Sequence, residues 1–182
     1  MSDDAYRLPE GPPAPVDDGA CDGLVGKKVP SLVLESSRGP LDIAVLAAGR
    51  LVLYVYPRAG REERPEWDLI PGARGCTPQA CSFRDHSAEL SGLGALVAGV
   101  SAQSLDEQVA FAERNHMPFP IVADDGLRLR DTLGLPTFEV DGDVLYKRVT
   151  LVAEGGVIVK VFYPVFPPDR NAADVIAWLR AR

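Results

Sequence analysis

Six consecutive apolar or aromatic residues, LVLYVY at 51–56, run without a polar break into Pro57. β-Branched and aromatic side chains favour a pleated conformation, and a strand with no polar face needs cover on both sides. The segment therefore reads as a buried strand that ends in a loop. A second buried strand is expected at 95–100, with shorter ones at 31–35 (SLVLE) and 120–122. Between them the apolar spacing changes to that of helices. Ala80, Phe83, Ser87 and Leu90 recur at helical spacing over 77–93, after Thr77 and Pro78, both good residues for an opening turn. A further helix carries Val109, Ala110, Ala112 and Glu113 and stops at 115–118; another spans 127–133 and is closed by Gly134. The chain ends in a hairpin, 148–153 and 157–162 around Gly155-Gly156, and a helix over 172–179.

Strands that alternate with helices and finish in a hairpin and a helix predict an α/β fold, a central mixed β-sheet flanked by helices on both faces, compatible with a thioredoxin-like fold. A length of 182 residues, 46% of them hydrophobic, suffices for one sizeable core and is short for two. The expected organisation is a loose, acidic, proline-rich arm over 1–22 and one domain over 23–182. Pro9, Pro12, Pro13 and Pro15 stand in the arm among acids and glycines, with too little apolar surface to fix it.

Charge narrows the partners. The formal charge is −7, and in residues 1–22 Asp3, Asp4, Glu10, Asp17, Asp18 and Asp22 stand against Arg7 alone. Six acids and one base make −5 there, so the rest of the chain is close to neutral. No nucleic acid is expected as a partner, because like charge opposes approach to a phosphate backbone. No membrane is expected either: the longest apolar run, 43–56, is broken by Arg50 and falls short of the ~20 residues a spanning helix needs. The N-terminus lacks a basic region followed by an apolar stretch, so the expected location is cytoplasmic.

Three cysteines, Cys21, Cys76 and Cys81, are an odd count for a structural disulfide framework. In a reducing compartment, two of them close together point to redox chemistry or to a metal. Cys76 stands behind the first buried strand and a long connection, 58–75, with two prolines, three glycines and mixed charges around Trp67. Loops of that length are usually functional or mobile. Cys76 also stands where a helix begins, and there unpaired backbone N–H groups and the positive end of the dipole favour an anion, hence a nucleophilic thiolate. Cys81 lies five positions on, a rise of ~7.5 Å and a rotation of ~140° along an intact helix. A disulfide needs its Cα atoms roughly 4.4–6.8 Å apart, so bonding the two requires the first turns of that helix to unwind. His86, His116 and the C-x4-C pair lack the closely spaced ligands of a structural zinc site, and no cofactor or metal is expected.

These residues stand in a longer string. Tyr56-Pro57, then Gly75-Cys76-Thr77-Pro78-Gln79-Ala80-Cys81 and Arg84-Asp85, resembles the peroxiredoxin Q or bacterioferritin-comigratory group of the peroxiredoxin family. Residues 26–34 (GKKVPSLVL) resemble the group's first strand, 51–57 the strand before its active site, and 148–152 the strand that carries its active-site arginine. The resemblance covers residues 23–179. It implies a thioredoxin-like fold and reduction of hydrogen peroxide or organic hydroperoxides, with a thioredoxin-like dithiol as reductant. Position by position, it makes Cys76 the peroxidatic cysteine, Cys81 the resolving cysteine, and Arg148 the guanidinium that holds thiolate and peroxide. On that reading peroxide oxidises the Cys76 thiolate to a sulfenic acid, which condenses with the Cys81 thiol and releases water. A permanently charged planar donor suits the role given to Arg148. The chain departs from the group twice. Ala73 stands where a Pro-x-x-x-Thr-x-x-Cys pattern would put a hydroxyl, and the 58–75 insertion separates Pro57 from Cys76. Backbone N–H groups near Gly75 and Cys76, or a hydroxyl from another segment, are then left to position the peroxide.

Plainer readings stand beside this one. They make Cys76 and Cys81 buried structural thiols, Arg148 a surface arginine beside Lys147 at a strand edge, and Cys21 an incidental thiol near the arm. Two other functions keep the dithiol or the fold. One is a thiol-disulfide oxidoreductase or redox sensor with weak peroxidase activity; the other is a non-enzymatic thioredoxin-fold interaction module using the 58–75 loop and the rim near Phe166.

Overall fold

The structure, a computed structural model, describes residues 11, 13–60 and 65–182. Its strands are β1 (Val33–Ser36), β2 (Leu41–Asp42), β3 (Arg50–Val55), β4 (Ala95–Ser101), β5 (Ile121–Ala123), β6 (Thr137–Val140), β7 (Asp143–Tyr146), β8 (Val149–Glu154) and β9 (Val157–Phe162). All but β6 and β7 join one mixed sheet in the order β2-β1-β5-β4-β3-β8-β9. β3 runs parallel to β4 and antiparallel to β8. The alternation along β3 sorts its apolar run between two cores. Val52, Tyr54 and Tyr56 enter one cluster; Leu51, Leu53 and Val55 enter the other. No residue of the run is more than 3% exposed, as an unbroken apolar strand requires.

The helices are α1 (Ile43–Leu46), α2 (Cys76–Asp85), α3 (Ser87–Gly92), α4 (Leu105–Arg114), α5 (Arg128–Leu133) and α6 (Asn171–Arg180). The Tyr54 face is covered by Phe83 of α2, Leu90 of α3, Phe111 of α4 and Val175 of α6. The opposite face is covered by Ile43 of α1 and by Leu129 and Leu133 of α5. The α/β sheet with helices on both faces is the architecture its sequence predicts. Tyr54 stacks on Phe83 with ring centroids 4.5 Å apart, a contact worth ~0.5–1.5 kcal/mol beyond the area it buries. That pair fixes α2, and with it Cys76, on the central strand. Among the described residues no helix is long and apolar enough to cross a membrane.

Several expectations need correction. The helix over 77–93 is two helices, because His86 leaves helical geometry at ψ 8° and its ring Nδ1 lies 2.8 Å from the Ser82 carbonyl oxygen. The hairpin β6–β7 was not among the expected strands, although Asp141-Gly142, with φ of 52° and 82°, forms the tight turn such a dipeptide favours. The 58–75 connection carries a 3-10 turn at Pro65–Leu69 and has its own small core. Trp67 and Ala73 pack there with Leu145 of β7 and Phe138 of β6. Arg58 secures it, with Nη2 donating to Asp143 Oδ2 at 2.5 Å and its guanidinium 5.5 Å from the Trp67 ring centroid.

Of the loose arm expected over 1–22, residues 1–10 and 12 lie outside the described residues. The remainder is held to the body. Lys147 Nζ donates to Asp18 Oδ2 and Tyr163 Oη to Asp18 Oδ1, both at 2.8 Å, and Cys21 is 5% exposed. Composition predicts weak self-packing of this stretch but says nothing of a lysine more than a hundred residues away.

Candidate active site

Gly75 precedes α2 with φ 97°, a left-handed conformation that favours glycine, and Cys76 is the first helical residue. The residue is 3% exposed, and its Sγ lies 3.2 Å from Arg148 Nη2. The thiol also donates to the Ala73 carbonyl oxygen, 3.7 Å away. A guanidinium beside the sulfur and the amino end of a ten-residue helix both stabilise negative charge at that atom. The residue in the hydroxyl position, Ala73, is 1% exposed and contributes only backbone here.

Arg148 lies just before β8 and is 4% exposed, so it is not the surface arginine of the plainer reading. Nη2 also donates to the carbonyls of Gly72, Ala73 and Arg74 at 3.2, 3.3 and 2.9 Å. Nη1 donates to Gln79 Oε1 at 2.5 Å. Gln79 Nε2 in turn donates to Asn171 Oδ1 at 3.0 Å, and Thr150 Oγ1 donates to the same oxygen at 2.6 Å. The guanidinium is thereby held by the first turns of α2, the start of α6 and strand β8. Its Nε is buried without a hydrogen-bond partner among the described residues.

Cys81 faces elsewhere. It is 8% exposed, and its Sγ lies 4.0 Å from Asn115 Oδ1, at the end of α4. Burial raises the thiol above its ordinary range, Arg84 lowers it, and Asp85 raises it again. The group is kept as a protonated thiol. Both cysteines stand within the intact α2, so the helical separation of ~7.5 Å and ~140° applies and the sulfurs have different neighbours. Cys21 belongs to the apolar cluster on the opposite face of the sheet from Cys76 and Cys81. Burial first, then Asp18, Asp17 and Asp22, push its thiol up to about 12.

Beside Arg148 opens a cavity of about 370 Å³, lined by the arm, the insertion, β6 and the loop after β9. The structure thus brings Cys76 and Arg148 into contact and places Cys81 on the same helix but outside contact. Sequence reasoning missed Gln79, Asn171 and Thr150. Gln79 lies inside the quoted motif string, yet a glutamine in a helix reads as a solvated residue until its partners, 69 and 92 positions away, are known. Among the described residues no group of three or more His, Cys, Asp or Glu side chains gathers to hold a metal ion.

Comparison with known proteins gives the fold and the family. The Redoxin family model matches residues 24–176. Putative peroxiredoxin bcp of Coxiella burnetii is 29% identical over 160 residues, covering 85% of this chain and 97% of that protein. Chloroplastic peroxiredoxin Q of Sedum lineare is 27% identical over 157 residues, 86% of this chain and 77% of the relative. Among solved structures, peroxidoxin BcpB of Mycobacterium tuberculosis superposes with a TM-score of 0.70 at 28% identity, over 86% of this chain and 96% of its own. The fold is thioredoxin-like, and the chain belongs to the Redoxin family, within which it is similar to the peroxiredoxin Q and Bcp proteins.

Proposed function

We propose that the chain is a thiol-dependent peroxidase that reduces hydrogen peroxide or organic hydroperoxides through Cys76. The observation that carries this reading is the 3.2 Å contact between Arg148 Nη2 and Cys76 Sγ at the amino end of α2. The Cys76 thiolate attacks the terminal oxygen of the hydroperoxide. The O–O bond breaks, sulfur is oxidised by two electrons to a sulfenic acid, and the alkoxide or hydroxide leaves with a proton from solvent. Arg148 orients the peroxide and stabilises the charge that passes from sulfur to the leaving oxygen.

Resolution falls to Cys81. Its protonated thiol condenses with the sulfenic acid, forming the disulfide and releasing water. The first turns of α2 unwind for this step, since intact helical geometry keeps the two residues apart. A thioredoxin-like dithiol then reopens the bridge by exchange, which suits a reducing compartment such as the cytoplasm.

Stopped-flow oxidation with peroxide, read out by mass spectrometry, tests the proposal. The parent protein should form a Cys76–Cys81 bridge, Cys81→Ser should accumulate the sulfenic acid, and Cys76→Ser should not react. A reaction of Cys76→Ser at the parent rate would sink the mechanism. The rival thiol-disulfide oxidoreductase draws on Ala73, which leaves the site without the group's hydroxyl; it predicts slow oxidation by peroxide with rapid exchange against other disulfides.

A further inference from the structure

Tyr54 and Tyr56 enter the same face of the sheet and are both fully buried, yet their hydroxyls differ. Tyr56 Oη donates to Gln108 Oε1 at 2.9 Å, so its burial is compensated. Tyr54 Oη has no hydrogen-bond partner among the described residues. A hydroxyl taken out of water and left unpaired destabilises the state that holds it, and most buried polar groups avoid that condition. The ring cannot turn to find a partner. It is stacked on Phe83 with the two planes 8° apart, it meets Phe119 edge-on at 5.9 Å, and a Cβ on Gly99 of β4 would already stand 2.5 Å from Oη.

What covers this ring is the helix that has to open. Cys76, Ala80 and Phe83 recur at intervals of four and three, so they share one face of α2, and all three belong to the apolar cluster of Tyr54. Burial, then Tyr56, Cys81 and Cys76, push the phenol well above its ordinary range, so the hydroxyl stays a protonated donor. Unwinding the first turns for the disulfide lifts Cys76 and Ala80 from the ring. It also breaks helical bonds such as that from Gln79 N–H to the Gly75 carbonyl at 3.0 Å. Freed carbonyls and water then come within reach of Tyr54 Oη. The hydroxyl is left unpaired by the protein only while α2 is closed.

We infer that the unpaired Tyr54 hydroxyl destabilises closed α2 relative to opened α2, and so sets how fast the Cys76 sulfenic acid reaches Cys81. The consequence for turnover rests on the two-cysteine reading above, whereas the bias itself belongs to the reduced protein and exists without peroxide. Tyr54 transfers no atom. In the step it speeds, Cys81 sulfur bonds to Cys76 sulfur, the S–O bond breaks, and the oxygen leaves as water with the proton of the Cys81 thiol. A helix that opens too slowly leaves the sulfenic acid waiting, and a second peroxide then carries it to sulfinic acid. The hydroxyl thus exchanges stability of the resting enzyme for protection of its sulfur.

Tyr54→Phe removes one oxygen and keeps the stack on Phe83; Tyr56→Phe removes a paired hydroxyl and supplies the contrast. Reduced Tyr54→Phe should melt above the parent and Tyr56→Phe below it. In reduced Tyr54→Phe the backbone amides of residues 79–81 should exchange hydrogen about fivefold or more slowly, the scale of one unpaired buried hydroxyl. With excess hydrogen peroxide, Tyr54→Phe should keep the parent rate of Cys76 oxidation, form the Cys76–Cys81 bridge about fivefold or more slowly, and show more Cys76 sulfinic acid by mass spectrometry. A Tyr54→Phe protein that melts below the parent, or one whose amide exchange and bridge formation keep the parent rates, overturns the inference. If the parent Cys76 does not react with peroxide, the peroxidase reading fails, and the exchange rates alone decide whether the hydroxyl biases α2.

Discussion

Arg148 Nη2 lies 3.2 Å from Cys76 Sγ, and the same nitrogen reaches three successive backbone carbonyls, those of Gly72, Ala73 and Arg74. One guanidinium thus fixes the chain before α2 and the sulfur at its first residue. Removing the charge acts on both. Arg148→Met should slow Cys76 oxidation by roughly 10- to 150-fold, the rate equivalent of a charge-assisted hydrogen bond worth ~1.5–3 kcal/mol. Arg148→Lys should recover only part of that, because a single ammonium cannot reproduce the planar fork. Stopped-flow rates for the two variants check the order, and equal rates for parent and Arg148→Met would remove the arginine from the mechanism.

Gln79 acts through Arg148. It is fully buried, accepts from Arg148 Nη1 and donates to Asn171. Gln79→Ala should slow sulfur oxidation by about fivefold, the scale of one neutral hydrogen bond. Gln79→Glu keeps the acceptor for the guanidinium but loses the donor to Asn171, and should restore only part of the rate. Disulfide formation, which needs the first turns of α2 to open, should not slow in Gln79→Ala. A rate loss shared equally by the Ala and Glu variants would assign the effect to the lost Nε2 donor to Asn171 rather than to the acceptor for Arg148.

Cys21 is expected to be inert. Burial and three neighbouring aspartates push its thiol up to about 12, so at pH 8 its thiolate is on the order of one part in ten thousand. Native protein treated with iodoacetamide at pH 8 should therefore leave Cys21 unlabelled until it is denatured. Cys21→Ala should form the Cys76–Cys81 bridge at the parent rate, since the sheet separates the two apolar clusters to which these residues belong. Peptide mass mapping distinguishes the three sulfurs.

The parts of the molecule legible in the sequence are those set by local rules. An unbroken apolar run gave β3 its place, Gly134 closes α5 at φ 80°, and Cys76 does begin a helix. The turn at Asp141-Gly142 obeys the same local rules. What was not readable depends on partners far along the chain. Asn171 accepts from both Thr150 and Gln79. The insertion finds its core in Leu145 and Phe138, and Asp18 finds Lys147 and Tyr163. A polar residue carries no sequence mark that separates a solvated role from a buried one, so the sulfur was nameable and the network that orients its arginine was not.

Gly99 in β4 has no room for a side chain. A Cβ there would stand 2.5 Å from Tyr54 Cζ and Oη and 2.9 Å from Cε2. Since Tyr54 is fully buried and stacked on Phe83, the ring has nowhere to retreat. Gly99→Ala should cost ~1–3 kcal/mol by overpacking, and a chain of this size loses about 2–4 °C of Tm per kcal/mol. Tyr54→Leu in the same chain should relieve part of the clash, leaving the double variant less destabilised than the sum of the singles. Additive losses in thermal unfolding would place the strain elsewhere.

The arm should release in acid. Hydrogen bonds from Lys147 first, then from Tyr163, hold the Asp18 carboxyl well below its ordinary 3.8. The docked protein therefore binds the charged form of Asp18 in preference to the neutral one. The sign follows from linkage: the contribution to docking is complete above the ordinary value and is lost as pH falls through the depressed one. The Tyr163 ring resonances, followed by nuclear magnetic resonance from pH 7 downward, should hold their docked positions through pH 3.8 and change only below it. Asp18→Asn removes the charge at every pH. At neutral pH it should speed thermolysin cleavage near Val16, because the arm loses the partner of Lys147 and Tyr163. Retention of the protease resistance in Asp18→Asn would show that the arm is held by Pro15 and Cys21 rather than by this ion pair.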